Sequence, residues 1–141
     1  MKHEDYKHVI PLQIRFSDID RLQHVNNSCY HNYAELGRVR YFNEVLKHNI
    51  DWNLNGFVLA RTEIDHVLPV FLNDEIYCFT KVYEFGNKSI RVKNAICRKK
   101  ENHLEVCANI QGVLVTMDYQ KNESIQLPLQ WRKLMTDFEK I

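Results

Sequence analysis

The stretch that decides the fold reads Arg15-Phe16-Ser17-Asp18-Ile19-Asp20-Arg21-Leu22-Gln23-His24-Val25-Asn26-Asn27-Ser28-Cys29-Tyr30. Residues 9–16, which lead into it, alternate loosely between apolar and polar side chains, as a strand does. Residues 28–47, which follow, switch to a helical period with one apolar stripe, formed by Tyr30, Tyr33, Ala34, Gly37, Tyr41 and Val45. We therefore predict a strand, a loop that carries two acids and a histidine, and a long helix capped by Asn26, Asn27 or Ser28.

The rest of the chain predicts four more strands and a short helix. The strands span residues 57–68, 76–85, 89–98 and 105–119, and Pro128 opens the helix. This order indicates an α+β architecture, with the long helix packed on a mostly antiparallel meander in one domain over residues 1–141. Gly37 costs the long helix roughly 1 kcal/mol relative to Ala, which predicts that another backbone passes close to the helix there.

The composition argues against several classes of protein. The net charge is +1 and the basic residues are scattered, so nothing indicates nucleic-acid binding. No apolar run approaches the roughly 20 residues that span a bilayer, and none follows the charged start of the chain as in a signal peptide. The four cysteines lack the spacing of a metal site or a redox motif. We expect a protein of the reducing cytoplasm that is not a membrane protein.

The last predicted strand has apolar residues on both faces. Ala108, Ile110 and Leu114 alternate with Val113, Val115 and Met117. One helix covers only one face of a sheet, so we predict that a second copy of the chain buries the other face.

These segments resemble the hotdog-fold acyl-CoA thioesterases of the 4-hydroxybenzoyl-CoA thioesterase-like group. The resemblance rests on the Asp18-Ile19-Asp20 and His24-Val25-Asn26-Asn27 runs, on Glu35 and Arg38 in the helix, and on the segment from Glu63 to Glu75. It implies a single hotdog domain, in which a curved antiparallel five-stranded sheet wraps a long central helix and a short C-terminal helix follows. It also implies a homodimer or homotetramer that binds acyl-CoA and needs no metal or redox cofactor.

The resemblance assigns roles to residues of the loop. Asp20 corresponds to the catalytic carboxylate of the family, as nucleophile or general base, and the backbone N–H of Asn27 corresponds to the oxyanion donor. The His-Val-Asn-Asn run is also similar to acyl-carrier-protein thioesterases, some of which use Asp, Asn and His from this loop. That comparison makes His24 a candidate, although Leu22 stands where those enzymes have Asn.

Further candidates come from the loop, the helix and the strands. Glu63 is a second candidate acid, because we expect it to be buried in its strand and a buried acid needs a reason. Candidate substrate contacts are Val25, Asn26, Tyr30 and Tyr33, with Ser89 and Arg91 as candidates for the CoA phosphates. Structural explanations compete with these roles, since Asp18 and the asparagines suit turns and caps and the tyrosines suit a helix core.

Two other functions stay open. Hydration or dehydration of an acyl thioester on the same fold would need an acid–base pair, such as His24 with Asp20 or Glu63. A non-catalytic module that binds acyl thioesters would need no such pair. The acyl chain and the choice between CoA and a carrier protein are left open. A metal site built from Asp18, Asp20, His24 and His31 has no tetrahedral ligand pattern, so no metal is expected.

Overall fold

The computed structural model describes residues 5–141, and its elements follow the predicted order. They are β1 (His8–Leu12), α1 (Cys29–Val45), β2 (Asn55–His66), β3 (Ile76–Phe85), β4 (Ser89–Lys100), β5 (His103–Asp118), β6 (Glu123–Ser124) and α2 (Leu129–Glu139). Residues 1–4 of the predicted domain lie outside the described residues. Between residues 5 and 141 no helix is both long and apolar enough to cross a membrane.

The strands form one curled antiparallel sheet in the order β1-β3-β4-β5-β2, and the two-residue β6 pairs with β5. With α1 on one face and α2 at the end of the chain, this is the predicted α+β hotdog fold. The predicted meander is wrong for β2, which pairs with β5 and leaves β3 to pair with β1. The chain between β2 and β3 therefore crosses the sheet, and β2 becomes one of its two edges.

Helix α1 is buried along the stripe that the sequence predicts. Tyr30, Tyr33 and Ala34 pack into one apolar cluster with strand residues, and Tyr41, Phe42 and Val45 pack into a second cluster with α2. Fully burying a large apolar side chain stabilises a fold by about 1.5–3 kcal/mol, so these two clusters hold the helix against the sheet.

Gly37 marks the closest approach of α1 to the sheet. A Cβ atom there would lie 2.6 Å from Cys78 Sγ and 2.7 Å from Thr80 Oγ1, both on β3. The predicted close contact therefore exists, but side chains of the sheet make it where we expected a backbone.

The first strand is shorter than predicted. It ends at Leu12, and a single 3-10 turn occupies Phe16–Asp18. The Asp18 N–H donates to Arg15 O at 2.9 Å, and the Arg15 N–H donates to Asp18 Oδ2 at 3.0 Å. This local bonding turns the chain away from the sheet, and the Phe16 side chain is 83% exposed.

We predict that Gly37→Ala destabilises the protein even though alanine is the better helix former. The new methyl group would press on Cys78 and Thr80, and overpacking of this kind costs about 1–3 kcal/mol against a helix-propensity gain of about 1 kcal/mol. Urea unfolding measures the difference, with Asn43→Ala on the exposed face of α1 as the control. A Gly37→Ala protein more stable than wild type would contradict the packing described above.

Candidate functional site

Residues 15–28, called the acid loop below, are anchored by the carboxylate of Asp18. This side chain is 1% exposed, and its Oδ2 accepts a hydrogen bond from the Tyr33 hydroxyl of α1 at 2.7 Å. Its Oδ1 accepts from Arg15 Nε at 3.1 Å and from the Arg15 terminal guanidinium nitrogen at 3.0 Å. The loop is thereby bonded to the first turns of the helix.

The pKa of Asp18 is lowered by these bonds. Burial by itself raises the pKa of a carboxyl group, but the donors from the Arg15 backbone, the Tyr33 hydroxyl and the Arg15 side chain outweigh it. Asp18 is therefore charged at neutral pH, and the guanidinium of Arg15 compensates its negative charge.

Asp20 is the second acid of the loop, and its carboxylate is held in place by two donors. The Leu22 N–H donates to Asp20 Oδ1 at 2.9 Å, and Asn26 Nδ2 donates to Oδ2 at 3.2 Å. The Asp20 N–H in turn donates to His24 O at 3.1 Å, which closes a tight turn. Unlike Asp18, Asp20 is only half-buried, so its carboxylate remains within reach of a bound molecule.

Of the three predicted caps, Ser28 stands at the N-cap of α1 without a side-chain bond to the helix, and Asn26 supplies the side-chain acceptor just before it. Its Oδ1 accepts from the Ser28 N–H at 2.9 Å and from the Ser28 hydroxyl at 2.8 Å, while its backbone carbonyl accepts from Cys29 N–H at 3.0 Å. Its own N–H donates to Asp18 O at 2.8 Å. Asn26 therefore links Asp18, Asp20 and the helix start, and its polar atoms are engaged within the protein.

The N–H of Asn27 is the unpaired donor at this helix start. No acceptor for it exists in the part of the chain that the structure describes, whereas the N–H groups of Asn26, Ser28, Cys29 and Tyr30 are all bonded. Free N–H groups at a helix N-terminus carry the positive end of the helix dipole and attract negatively charged atoms. An oxygen that develops negative charge would therefore find a donor here.

A cleft of about 210 Å³, called the Asn27 cleft below, lies at this helix start. It is lined by His24, Asn27, Tyr30, His66, Val67, Leu68 and Pro69. The acid loop forms one wall, the buried Tyr30 forms the floor, and the residues at and after the end of β2 form the other wall. Asp20 adjoins the loop wall through its backbone bond to His24.

The strand wall of the cleft is held by bonds to β5 and to Arg98. The N–H groups of Val67 and Leu68 both donate to Cys107 O on β5, at 2.8 and 3.1 Å. The buried side chain of Arg98 donates to Pro69 O at 2.8 Å and to Asp74 Oδ2 at 3.0 Å. These bonds hold residues 67–69, an irregular segment that directly follows the edge strand β2.

Two imidazoles face the Asn27 cleft, and only one was predicted. His24 Nδ1 lies 3.2 Å from Val25 O, and because a carbonyl only accepts, this nitrogen carries the proton. His66 packs edge-on against Tyr30, with 4.8 Å between ring centroids and an interplanar angle of 86°. The alternation of β2 in the sequence places His66 on the same face of the strand as Ile64. Only the fold shows that the end of this strand lies next to the acid loop.

Two predicted substrate contacts are buried in the core and do not line the cleft. Val25 is 0% exposed, and its N–H donates to Val70 O at 2.8 Å. Tyr33 is buried and directs its hydroxyl at Asp18. Both residues hold the acid loop in position, and of the four predicted contacts in the loop and helix only Tyr30 lines the cleft directly.

Glu63, Ser89 and Arg91 lie apart from the Asn27 cleft in a single chain. The expected burial of Glu63 is wrong, because β2 is an edge strand and this side chain lies on the outer face, where it is exposed and ion-paired with Arg61. Arg91 is also exposed and pairs with Glu84 at 2.9 Å. Ser89 lies seven residues along β4 from Ile96. Ile96 and His66 both pair with Ala108 of β5, so about 23 Å along the strands separates Ser89 from His66.

No group of three or more His, Cys, Asp or Glu side chains within residues 5–141 is arranged to hold a metal ion. The reactive groups on the acid loop and in the Asn27 cleft are the carboxylate of Asp20, the imidazoles of His24 and His66 and the free N–H of Asn27.

Comparison with known proteins places the chain in a family. A family model described as the thioesterase-like superfamily matches residues 14–135. The chain belongs to this superfamily. The predicted resemblance to hotdog thioesterases is thereby confirmed.

Solved structures of thioesterases share the fold. A thioesterase from Thermus thermophilus in complex with coenzyme A and zinc is 29% identical, with 98% of each chain covered and a TM-score of 0.85. A predicted thioesterase from Bacillus stearothermophilus is 20% identical over 93% of this chain and 95% of that one, with a TM-score of 0.81. A mutant 4-hydroxybenzoyl-CoA thioesterase in complex with 4-hydroxybenzoyl-CoA is 15% identical over 90% and 96% of the chains, with a TM-score of 0.81. No curated protein matches the sequence.

We predict that Asp18→Asn destabilises this thioesterase-like protein at neutral pH, by about 1–3 kcal/mol, because buried donors lose a charged acceptor. The lowered pKa of Asp18 stabilises the fold above the ordinary carboxyl pKa of about 3.9 and ceases to do so as the pH falls through the lowered value. The stability difference between wild type and variant should therefore shrink below about pH 4.

Urea unfolding at pH 7 and at a series of acidic pH values measures this difference. Asp137→Asn, at an exposed ion pair on α2, is the control and should change stability little. A difference between wild type and Asp18→Asn that is the same at all these pH values would contradict the prediction.

Proposed function

We propose that this member of the thioesterase-like superfamily hydrolyses an acyl-CoA thioester, with Asp20 as the catalytic carboxylate. The observation that carries the proposal is the unpaired N–H of Asn27, a residue that lines a cleft, on the same loop as an Asp20 carboxylate held by two donors. The match of residues 14–135 to the superfamily supports thioester hydrolysis in general. The choice of CoA is supported by the complexes of the Thermus thioesterase with coenzyme A and of the 4-hydroxybenzoyl-CoA thioesterase with its ligand.

In the proposed reaction the thioester carbonyl oxygen lies at the Asn27 N–H. As the carbonyl carbon is attacked, this oxygen gains negative charge, and a donor that is already oriented stabilises it without reorganisation. Loss of one such donor typically lowers a rate by about 10²–10³. The bond of Asn26 to Ser28 fixes the helix start from which the Asn27 N–H projects.

Asp20 promotes the attack on the carbonyl carbon in one of two ways. As general base it removes a proton from water, whose oxygen bonds to the carbonyl carbon. As nucleophile its own oxygen bonds to that carbon, and water then hydrolyses the resulting anhydride. In both routes the carbon–sulfur bond breaks, its electron pair leaves with sulfur, and the products are a carboxylic acid and the thiol of CoA.

The other loop residues position the reacting groups. Asn26 orients the Asp20 carboxylate, and Tyr30 supports the thioester as the floor of the cleft. The proton on His24 Nδ1 leaves Nε2 as an acceptor in the neutral ring, and we assign that nitrogen to an N–H of the pantetheine arm.

We further propose that the protein is a homodimer or homotetramer assembled through the free edge of β2. This strand has 12 residues, and in the described chain only its β5 side is paired. Its middle carries exposed apolar side chains, with Val58 45% exposed. An unpaired edge of this length invites pairing with another strand, and a second copy of the same edge supplies one.

We keep the cytoplasm as the proposed compartment. All four cysteines are free thiols, and Cys78, Cys97 and Cys107 are buried. Burial raises the pKa of Cys78 to about 11, which leaves its thiol protonated and unreactive at neutral pH. Unpaired thiols of this kind are typical of a reducing environment.

We predict that Asp20→Asn lowers kcat/KM for acyl-CoA hydrolysis by about 10²–10⁴, since a positioned base contributes that much. Release of both thiol and acid from short, long and aromatic acyl-CoA esters is measured, because the cysteines of the protein also react with thiol dyes. Asp137→Asn is again the control and should retain wild-type activity. After a single turnover in ¹⁸O-labelled water, label in Asp20 identifies the nucleophilic route, because water then attacks the Asp20 carbonyl of the anhydride.

Three outcomes would contradict the proposed function. Binding of acyl-CoA with no product from wild type would indicate a non-catalytic module. Turnover of a 2-enoyl-CoA ester without thiol release would indicate a hydratase. Hydrolysis of acyl groups on a carrier protein but not on CoA would make the carrier-protein thioester the substrate in place of acyl-CoA.

For the assembly we predict that wild type is a dimer or tetramer at micromolar concentration and that Val58→Glu shifts it toward monomer. The variant places a charge on the edge strand of each copy, and charged side chains on an edge disfavour pairing with another strand. Light scattering with size-exclusion chromatography measures the mass, with Leu129→Glu, an equally apolar exposed position on α2, as the control. A monomeric wild type would contradict the proposed edge pairing.

A further inference from the structure

His66 is the polar side chain of the Asn27 cleft that the proposed mechanism does not use. It is the last residue of β2, it is exposed, and it lines the cleft together with Asn27 and His24. Neither of its ring nitrogens has a hydrogen-bond or ion-pair partner among residues 5–141. Its contact is the edge-on packing against Tyr30, which orients the ring and leaves both nitrogens available to a ligand.

The two imidazoles of the cleft differ in what they offer. His24 already donates through Nδ1 to Val25 O, so in its neutral form it presents an acceptor to the cleft. His66 has no such internal bond, so both of its nitrogens can carry protons that point at a bound molecule. The titratable groups that face His66 across the cleft are His24 of the acid loop and Tyr30 of α1, and residues 67–69 of its own wall are apolar.

The reaction proposed above creates a negatively charged sulfur that a donor of this kind would stabilise. The Asn27 N–H is assigned to the carbonyl oxygen and the Asp20 carboxylate to the attack, which leaves the departing thiolate without a partner. His66 lines the same cleft as Asn27 but belongs to β2 and not to the acid loop, so a thioester that fills this cleft at Asn27 also meets the imidazole.

We propose that His66 is a further catalytic residue, which as an imidazolium donates a proton to the departing sulfur. The inference rests on the proposed thioester hydrolysis. The carbon–sulfur bond breaks, its electron pair goes to sulfur, and the imidazolium proton bonds to that sulfur to give a neutral thiol. Neutral His66 then regains a proton from solvent. The attacking water loses a proton to solvent in either route, through Asp20 as base or on hydrolysis of the anhydride, so that water and thioester give acid and thiol.

A leaving-group comparison tests this role. His66→Phe keeps an aromatic ring against Tyr30 and removes the proton donor. We expect kcat/KM to fall by about 10²-fold or more for an acyl-CoA ester, the lower range for a general acid. The fall should be no more than about tenfold for the thiophenyl ester of the same acyl group, because an aryl thiolate leaves without a proton.

The controls separate this role from a structural one. His48→Phe, an exposed histidine after α1, should retain wild-type rates on both esters. If His66→Phe does not fold, His66→Gln, which donates a hydrogen bond but transfers no proton, should show the same contrast between the two esters. Equal losses on both esters, or no loss on either, would overturn the role of His66 while the Asp20 mechanism stands. A wild type that releases no thiol from any acyl-CoA would overturn the proposed function, and this inference with it.

Discussion

The hydrogen bond between the Tyr33 hydroxyl and the buried Asp18 carboxylate is the interaction on which the site depends. It joins the acid loop to α1, and the backbone carbonyl of Asp18 then receives the N–H of Asn26. Asn26 in turn holds the Asp20 carboxylate and accepts the first N–H groups of the helix. A carboxylate that is 1% exposed is a stable part of a core only when it is bonded, and here its donors also orient the groups proposed to react.

Much of the fold follows from hydrophobic period alone. The stripe from Tyr30 to Val45 and the alternation in the later strands are signals that depend only on neighbouring residues, and the structure confirms them. The pairing of β2 with β5 could not be predicted in this way, since it depends on how residues 67–75 cross the sheet. The early end of β1 could not be predicted either, because the bonds between Arg15 and Asp18 override the alternation up to Phe16.

The candidate site was predictable where it is local in sequence. Asp20, His24, Asn27 and the Asn26 cap lie within one loop, so motif and capping rules suffice to bring them together. The strand wall of the cleft is not local, since His66 reaches the loop only through the pairing of β2 with Ala108 on β5. The burial of Glu63 failed as a prediction for the same reason: alternation predicts which residues share a face of β2 but does not say which face a helix covers.

The two walls of the Asn27 cleft rest largely on different bonds and are joined by the bond from the Val25 N–H to Val70 O. The loop wall depends on Asp18, Tyr33 and Asn26, whereas the strand wall depends on Cys107 and Arg98. The side chains of Val67, Leu68 and Pro69 line the cleft and are assigned to no step of the reaction. Substitutions at these three positions change the shape of the strand wall, so substrate preference is free to diverge under selection while the bond-breaking apparatus is inherited unchanged.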